Sequence, residues 1–123
     1  MPDTKKVLII EDDAMISSMY KTKLEQDGYQ VECANNGAEG LEKAKLADAD
    51  IILLDVIMPQ LDGFSVLEEL RSKMGIKVPI IMLTNLGTEE DREKGAKMGA
   101  TDYLVKSSIT PGQVSELVAK NLK

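Results

Sequence analysis

The sequence contains no histidine, only one cysteine and no long apolar run. The lack of histidine excludes histidine-based catalysis and histidine–metal sites. Because Cys33 is alone, no internal disulfide can form, and we expect Cys33 to be a small core residue in a protein of the reducing cytoplasm. No apolar run approaches the ~20 residues that a membrane span needs, so we predict no membrane contact. The segment MPDTKK has no hydrophobic signal region, and we predict no secretory signal.

Positive charge is also scarce. The chain has 15 Lys and Arg residues against 21 Asp and Glu residues, which gives a net charge of −6. Nucleic-acid-binding domains usually carry a basic patch, so we predict no direct contact with nucleic acid. A chain of 123 residues, 43% apolar and 29% charged, is typical of one globular domain, to which we assign residues 1–123.

Apolar runs alternate with helical patterns along the chain. Strands are predicted at 6–10, 29–34, 51–54, 78–83 and 103–105. Three helical stripes are clear, and they consist of Ile16, Met19, Tyr20 and Leu24, of Leu67, Leu70 and Met74, and of Val114, Leu117, Val118 and Leu122. Segments 37–47 and 87–99 are predicted helices with thinner stripes. The alternation predicts an α/β fold, a doubly wound five-stranded parallel sheet flanked by five helices.

Two helix boundaries carry local signals. Gly28 follows the first predicted helix as a stop residue. Thr110, Pro111 and Gln113 form a helix start, with Thr110 as the N-cap, Pro111 at the first helical position and Gln113 at the third. These signals place the first and last helices.

Polar residues follow four predicted strands, namely Glu11, Asp12 and Asp13 after the first, Asp55 after the third, Thr84 after the fourth and Lys106 after the fifth. In a parallel sheet these strand ends meet at one edge, where open α/β sheets bind ligands. Clustered carboxylates repel one another unless a cation lies among them, and oxygen-only ligands favour Mg²⁺ or Mn²⁺. A metal, a lysine and a hydroxyl around one aspartate predict a phosphoryl site with Asp55 as the nucleophile.

Each of these residues also has a simpler explanation. The acids after the first strand could only cap a helix, Asp55 could form a turn, and Thr84 and Lys106 carry little information alone. A flavodoxin-type cofactor protein is disfavoured because EDD would repel phosphate, and a D-x-D phosphatase because Ile57 replaces the general acid. An interaction module that is never phosphorylated remains an alternative.

Four motifs, LIIEDD, LLDVIMPQLDG, IIMLTN and GATDYLVK, together resemble receiver domains of two-component response regulators. The likeness covers essentially all 123 residues and implies a CheY-like, flavodoxin-like sheet of strand order 2-1-3-4-5. It implies a phosphoacceptor signalling switch rather than an enzyme, although the domain would assist its own phosphotransfer and dephosphorylation.

The resemblance assigns roles to individual residues. Mg²⁺, or Mn²⁺ in its place, would be held by Glu11, Asp12, Asp55 and the backbone carbonyl of Ile57. Asp55 would be the phosphoacceptor, Thr84 and Lys106 would bind the phosphoryl group, and Tyr103 would change rotamer with Thr84. Asp13 falls one residue beyond the acidic pair, which favours a capping role, and Pro59, Asp62 and Gly63 match the turn into the third helix.

The resemblance also implies partners. The phosphodonor would be a histidine kinase or a phosphotransfer protein, and the output would pass through the fourth helix, fifth strand and fifth helix to a downstream protein target. We expect a cytoplasmic monomer or a weak phosphorylation-dependent dimer. A stand-alone regulator is the direct interpretation, since the 123 residues leave no room for an output domain, and a receiver excised from a longer protein fits equally well.

Two departures from the family pattern lead to further predictions. Ser107 stands where most receivers have a proline, commonly after a cis bond, so we predict a trans Lys106–Ser107 bond and a rerouted loop. Ile57 and Leu86 are apolar where many fast-cycling receivers have polar residues. We expect them to cover the phosphoryl group and slow its hydrolysis.

Overall fold

A computed structural model describes residues 4–46, 48–58, 60–84 and 88–122. The strands are β1 (Lys6–Ile10), β2 (Gln30–Ala34), β3 (Ile51–Asp55), β4 (Ile80–Thr84) and β5 (Asp102–Val105). The α-helices are α1 (Ala14–Gln26), α2 (Gly37–Leu46), α3 (Gly63–Glu68), α4 (Glu89–Lys97) and α5 (Pro111–Asn121). All strand pairs are parallel, and the order β2-β1-β3-β4-β5 confirms the predicted fold.

The run Ile51–Leu54 is buried on both faces of the sheet. Successive side chains of a strand point to opposite faces, so Leu54 lies in the core under α2 and α3, while Leu53 lies in the core under α1 and α5. This double burial explains why the run is continuous rather than alternating.

Helix α1 begins and ends where its flanking residues predict. The Asp13 carboxylate accepts hydrogen bonds from the amides of Met15 (2.9 Å) and Ile16 (3.3 Å), which confirms its capping role. Gly28 follows the helix with φ of +97°. The predicted stripe is wrong at Met19, which is 50% exposed, because Ser17, Tyr20 and Leu24 are the buried residues of this helix.

Cys33 is only partly buried, but it packs against the core under α1 and α5, as predicted for a small core residue. It lies on β2, an edge strand of the sheet, whose first four residues alternate between exposed and partly buried. Burial is still sufficient to raise the pKa of the Cys33 thiol.

The third helix is shorter than its apolar stripe predicts. Helix α3 ends at Glu68, and a π-helical turn continues from Glu69 to Lys73. Leu70 is buried from this turn, and Met74 packs against the same core. The stripe therefore identified the buried side chains correctly but not the type of helix that carries them.

The last helix begins as predicted. The Gln113 amide donates to Thr110 Oγ1 (3.1 Å), and Gln113 Oε1 accepts from the Thr110 amide (2.9 Å), so the capping box is complete. The Lys106–Ser107 bond is trans, as predicted, and opens a short 3₁₀ turn. Within the described ranges, every helix is too short or too polar to cross a bilayer.

Candidate metal and phosphoryl site

Charged residues from three strand ends converge at the carboxyl edge of the sheet. Carboxylate oxygens of Glu11, Asp12 and Asp55 all lie within 4.8 Å of one another. The Lys106 ammonium lies 2.5 Å from Glu11 Oε1 and 3.1 Å from Asp55 Oδ1. Together with Ile57, these residues border a cavity of about 210 Å³. The sheet thus brings together residues that are up to 95 positions apart in the chain.

Glu11 is fixed on three sides. Its backbone amide donates to the Ala34 carbonyl (3.0 Å), its Oε2 accepts the Asp13 amide (3.1 Å), and its Oε1 accepts Lys106. The residue is only 1% exposed, whereas Asp12 is exposed. The close Glu11–Lys106 pair was not predicted, because β1 and β5, which these residues follow, are separated by two strands in the sheet.

Asp55 is the last residue of β3 and is only 4% exposed, so it is buried at the edge of the sheet. Burial raises the pKa of Asp55 to about 8, and the hydrogen bond and charge of Glu11 act in the same direction, while Lys106 opposes them. A cation among the carboxylates would relieve this repulsion and favour the ionised form.

Lys106 is charge-balanced rather than exposed, since its side chain is only 9% accessible. Burial alone would lower its pKa, but the carboxylates of Glu11 and Asp55 outweigh that effect and raise the pKa above its ordinary value. The raised pKa favours a positive charge beside the proposed nucleophile. Lys106 keeps this position although Ser107 replaces the family's proline in the loop that follows.

The entry into α3 keeps Asp55 in place. A Cβ at Gly63 would lie 2.2 Å from the Asp55 carbonyl oxygen, so only glycine permits this approach. The Gly63 amide donates to the Val56 carbonyl (2.7 Å), and Asp62 Oδ1 caps the helix through the Ser65 amide (2.9 Å). The predicted turn is thus present at Asp62 and Gly63, while Pro59 falls outside the described residues.

Thr84 and Tyr103 lie on neighbouring strands behind the acidic cluster. Thr84, the last residue of β4, is fully buried, and Tyr103 is 3% exposed with its ring next to Gly95 of α4. Burial raises the pKa of Tyr103, and a hydrogen bond between its side chain and that of Thr84 partly offsets the increase. The pair therefore connects the site to α4 with the aromatic ring turned inward.

The side chain of Ile57 is 54% exposed at the rim of the cavity, which leaves it free to vary. Leu86, its predicted partner in shielding the phosphoryl group, is outside the described residues. The donor set contains only oxygen and one neighbouring ammonium, which fits Mg²⁺ with several retained waters. The predicted residues are thus brought together, and the roles of the individual residues remain predictions.

Comparisons with known proteins give a consistent result. A family described as "Response regulator receiver domain" matches residues 7–119. The chain is 38% identical over 97% of its length to the alkaline phosphatase synthesis transcriptional regulatory protein PhoP of Bacillus subtilis, covering 49% of that protein. It is 39% identical over 94% of its length to the DNA-binding dual master transcriptional regulator RpaA of Synechocystis, covering 46% of it.

Among solved structures, the chemotaxis protein CheY4 of Vibrio cholerae is similar, with a TM-score of 0.91 and 36% identity over 98% of this chain and 100% of that one. The chain spans slightly less than half the length of the two curated relatives named above. The similarity therefore concerns the receiver portion of these longer regulators.

Proposed function

We propose that this chain, which belongs to the response regulator receiver domain family, is a switch in which Asp55 accepts a phosphoryl group. The donor would be a histidine kinase or a histidine phosphotransfer protein, which also accounts for the lack of histidine in the chain itself. The observation that carries the proposal is the buried carboxylate of Asp55 held 3.1 Å from Lys106 at the edge where open sheets bind ligands.

In the transfer step, a carboxylate oxygen of Asp55 forms a bond to phosphorus while the bond between phosphorus and the donor imidazole nitrogen breaks. The electron pair of that bond stays with the imidazole, and the product is an aspartyl phosphate. Lys106 lies beside the attacking carboxylate and would balance the charge of one phosphoryl oxygen, and the Thr84 hydroxyl, at the end of the next strand, would donate a hydrogen bond to another.

Glu11, Asp12, Asp55 and the Ile57 carbonyl would hold Mg²⁺, and Mn²⁺ is a second candidate. When bound, the metal ion would neutralise the carboxylates and balance charge on the phosphoryl group. Asp12, the exposed member of the acidic cluster, would be the main direct ligand, while Glu11 remains paired with Lys106.

The signal would leave through the α4-β5-α5 face. A phosphoryl group adds roughly −1.5 to −2 charges at the edge of the sheet, by analogy with hydroxyl phosphates. It would draw Thr84 towards the new oxygens, and Tyr103, which shares a hydrogen bond with Thr84 and lies against α4, would transmit the movement. The recipient would be a protein target bound at this face.

The relatives are named as transcriptional regulators, and one is named as DNA-binding. Their names do not support the prediction that this protein makes no direct contact with nucleic acid. We therefore propose the absence of such contact only for these 123 residues. A cytoplasmic location and a monomer or weak phosphorylation-dependent dimer complete the proposal.

Intact-mass analysis with acetyl phosphate and Mg²⁺ tests the proposed function. We expect wild type to gain the mass of one phosphoryl group and Asp55→Asn to gain none. Asp48→Asn is the matched control, because Asp48 is exposed and its φ of 49° suits asparagine. An unmodified wild type would favour the unphosphorylated interaction module, and an adduct on Asp55→Asn would show that Asp55 is not the acceptor.

A further inference from the structure

Arg71 lies at the amino edge of the sheet, opposite the acidic site, and ties two loops together. Its Nε donates to the Gly99 carbonyl (2.8 Å), and its Nη1 donates to the carbonyls of Ile76 and Val78 (2.8 Å each). Its Nη2 donates to Thr101 Oγ1 (3.4 Å). The guanidinium thus joins the loop before β4 to the loop between α4 and β5.

The surrounding backbone is shaped for this contact. Arg71 projects from the π-helical turn rather than from α3 itself. Gly99 has φ of +102°, and a Cβ there would lie 3.1 Å from Arg71 Cγ, so a side chain would crowd the arginine. Thr101 completes the junction, since its amide donates to the Ile80 carbonyl (2.8 Å) and its Oγ1 accepts the Ile80 amide (3.1 Å).

The remainder of α4 is held by weaker contacts. Lys94 lies 4.4 Å from the centre of the Phe64 ring, and Arg92 lies 5.7 Å from that of Tyr103. Arg92 also donates to the Tyr103 carbonyl (3.0 Å), but both cations belong to exposed residues, where cation–π contacts are weak. The start of the helix is capped by Thr88 through the Asp91 amide (3.2 Å).

The two ends of α4 therefore differ in kind. Beyond the C-terminal end, a planar guanidinium joins main chain to main chain through a fork of fixed geometry. Along the rest of the helix, exposed side chains contact aromatic rings and can exchange these partners for water. A force from the Thr84 side would move the start of the helix before its end.

We infer that Arg71 is a positioning residue which anchors the C-terminal end of α4, so that the helix turns about this end when the switch operates. The inference rests on the proposed function for the operation of the switch. The anchor itself exists without phosphorylation and can be tested in the unmodified protein.

Amide hydrogen exchange measured by NMR tests the anchor. The amides of Ala100 and Thr101 are hydrogen-bonded at the anchored end, and the Arg92 amide bonds to Thr88 at the other end. We expect Arg71→Lys and Arg71→Met to accelerate exchange at Ala100 and Thr101 by about tenfold or more relative to Leu53 in the central strand. Arg71→Lys retains the charge and keeps the test informative if Arg71→Met does not fold.

Lys43→Met is the matched control, because Lys43 also donates to a backbone carbonyl, that of Cys33 on β2, the edge strand farthest from β5. This variant should leave the ratios of Ala100 and Thr101 to Leu53 unchanged. Equal ratios in the Arg71 variants and in Lys43→Met would overturn the anchor.

Phosphorylation with acetyl phosphate and Mg²⁺ then tests the turning movement. In wild type, exchange should change at Arg92 by about threefold or more and remain within about twofold at Ala100 and Thr101. In Arg71→Lys the change should extend to both of these amides. Equal changes at both ends of wild-type α4 would overturn the inference, whereas absence of a phosphoryl adduct by intact mass would overturn the proposed function and the turning movement with it.

Discussion

Lys106 and Arg71 are two shielded cations at opposite edges of the same sheet, and they have opposite kinds of partner. Lys106 contacts two carboxylates, and these raise its pKa despite burial. Arg71 donates to backbone carbonyls and to a hydroxyl. Burial lowers its pKa, because no carboxylate among residues 4–46, 48–58, 60–84 and 88–122 forms an ion pair with it to oppose that effect.

The difference indicates what each edge can do. A lysine ammonium is a point charge on a flexible stem, so it can change from one carboxylate or phosphoryl oxygen to another. The arginine fork is matched to fixed backbone carbonyls and loses them if it moves. The carboxyl edge is therefore suited to a change of state, and the amino edge to holding the frame against which that change occurs.

Removing each cation tests the comparison of the two edges through protein stability. In the absence of Mg²⁺, we expect Lys106→Met to lower the free energy of unfolding by about 3 kcal/mol, because it leaves the buried Glu11 carboxylate without its counter-ion. Arg71→Met should cost about 2 kcal/mol through carbonyls left without donors. Urea unfolding measures both, with exposed Lys120→Met as the control. A larger loss of unfolding free energy for Arg71→Met than for Lys106→Met would contradict the prediction that the buried cation at the carboxyl edge contributes more to stability.

The two edges should also differ in their response to pH. The folded pKa of Asp55, about 8, lies above its ordinary 3.8, so between these values the folded protein retains a proton that the unfolded chain releases. The free energy of unfolding should therefore fall as pH rises through this window, by about 1.4 kcal/mol for each unit of pKa difference.

Urea unfolding in EDTA from pH 4 to 8 tests this dependence, a range that follows from the two pKa values of Asp55. Asp55→Asn should be more stable than wild type at the upper end and lose the advantage at the lower end. Arg71→Met should keep the wild-type slope, since the guanidinium does not titrate there. Parallel curves for Asp55→Asn and wild type would show that Asp55 is not the proton-binding group.

Asp12 and Asp13 are adjacent acids with different predicted tasks. Asp12→Ala should weaken Mg²⁺ binding at least about tenfold, because it removes a direct carboxylate ligand. It should not destabilise the metal-free protein, because it also removes repulsion between like charges. Asp13→Ala should lower the free energy of unfolding by about 1 kcal/mol through the lost helix cap and leave metal binding unchanged. Calorimetric Mg²⁺ titration measures the effect of each variant on metal binding, and urea unfolding measures its effect on stability. Weaker Mg²⁺ binding in Asp13→Ala and unchanged binding in Asp12→Ala would show that Asp13, not Asp12, is the metal ligand.

The smallest effect is expected at the rim. Ile57→Asn should shorten the lifetime of the phosphorylated state a fewfold, since a polar side chain there can orient water, and tenfold would require only about 1.4 kcal/mol of barrier. Decay is followed by intact mass after the donor is removed, with Met15→Gln as a control on the neighbouring exposed surface of α1. An unchanged rate of decay in Ile57→Asn would show that Ile57 does not shield the phosphoryl group from water.

Several features were predictable because a local pattern dictates them. The parallel sheet follows from the alternation of apolar runs and helices, and the acidic cluster follows from where the strands end. The capping residues Asp13 and Thr110 were also identified correctly, because a cap depends on only the next three residues.

Other features depend on distant parts of the chain. Arg71 contacts backbone carbonyls, which every residue carries, so the sequence does not mark its partners. The burial of Asp55 depends on the close approach of Gly63 and on the loops around it, and an edge position exposes part of Cys33. Met19 was misplaced because helical spacing alone does not determine how wide the buried stripe is.

The central claim is that Asp55, at the carboxyl edge, carries the phosphoryl group. The most direct test is to phosphorylate the protein with acetyl phosphate and Mg²⁺, reduce it with borohydride, which converts an aspartyl phosphate to homoserine, and map the peptides by mass spectrometry. The account predicts homoserine at position 55 and at no other acidic residue. Homoserine at Asp12, Asp13 or another acid, with Asp55 unchanged, would contradict it.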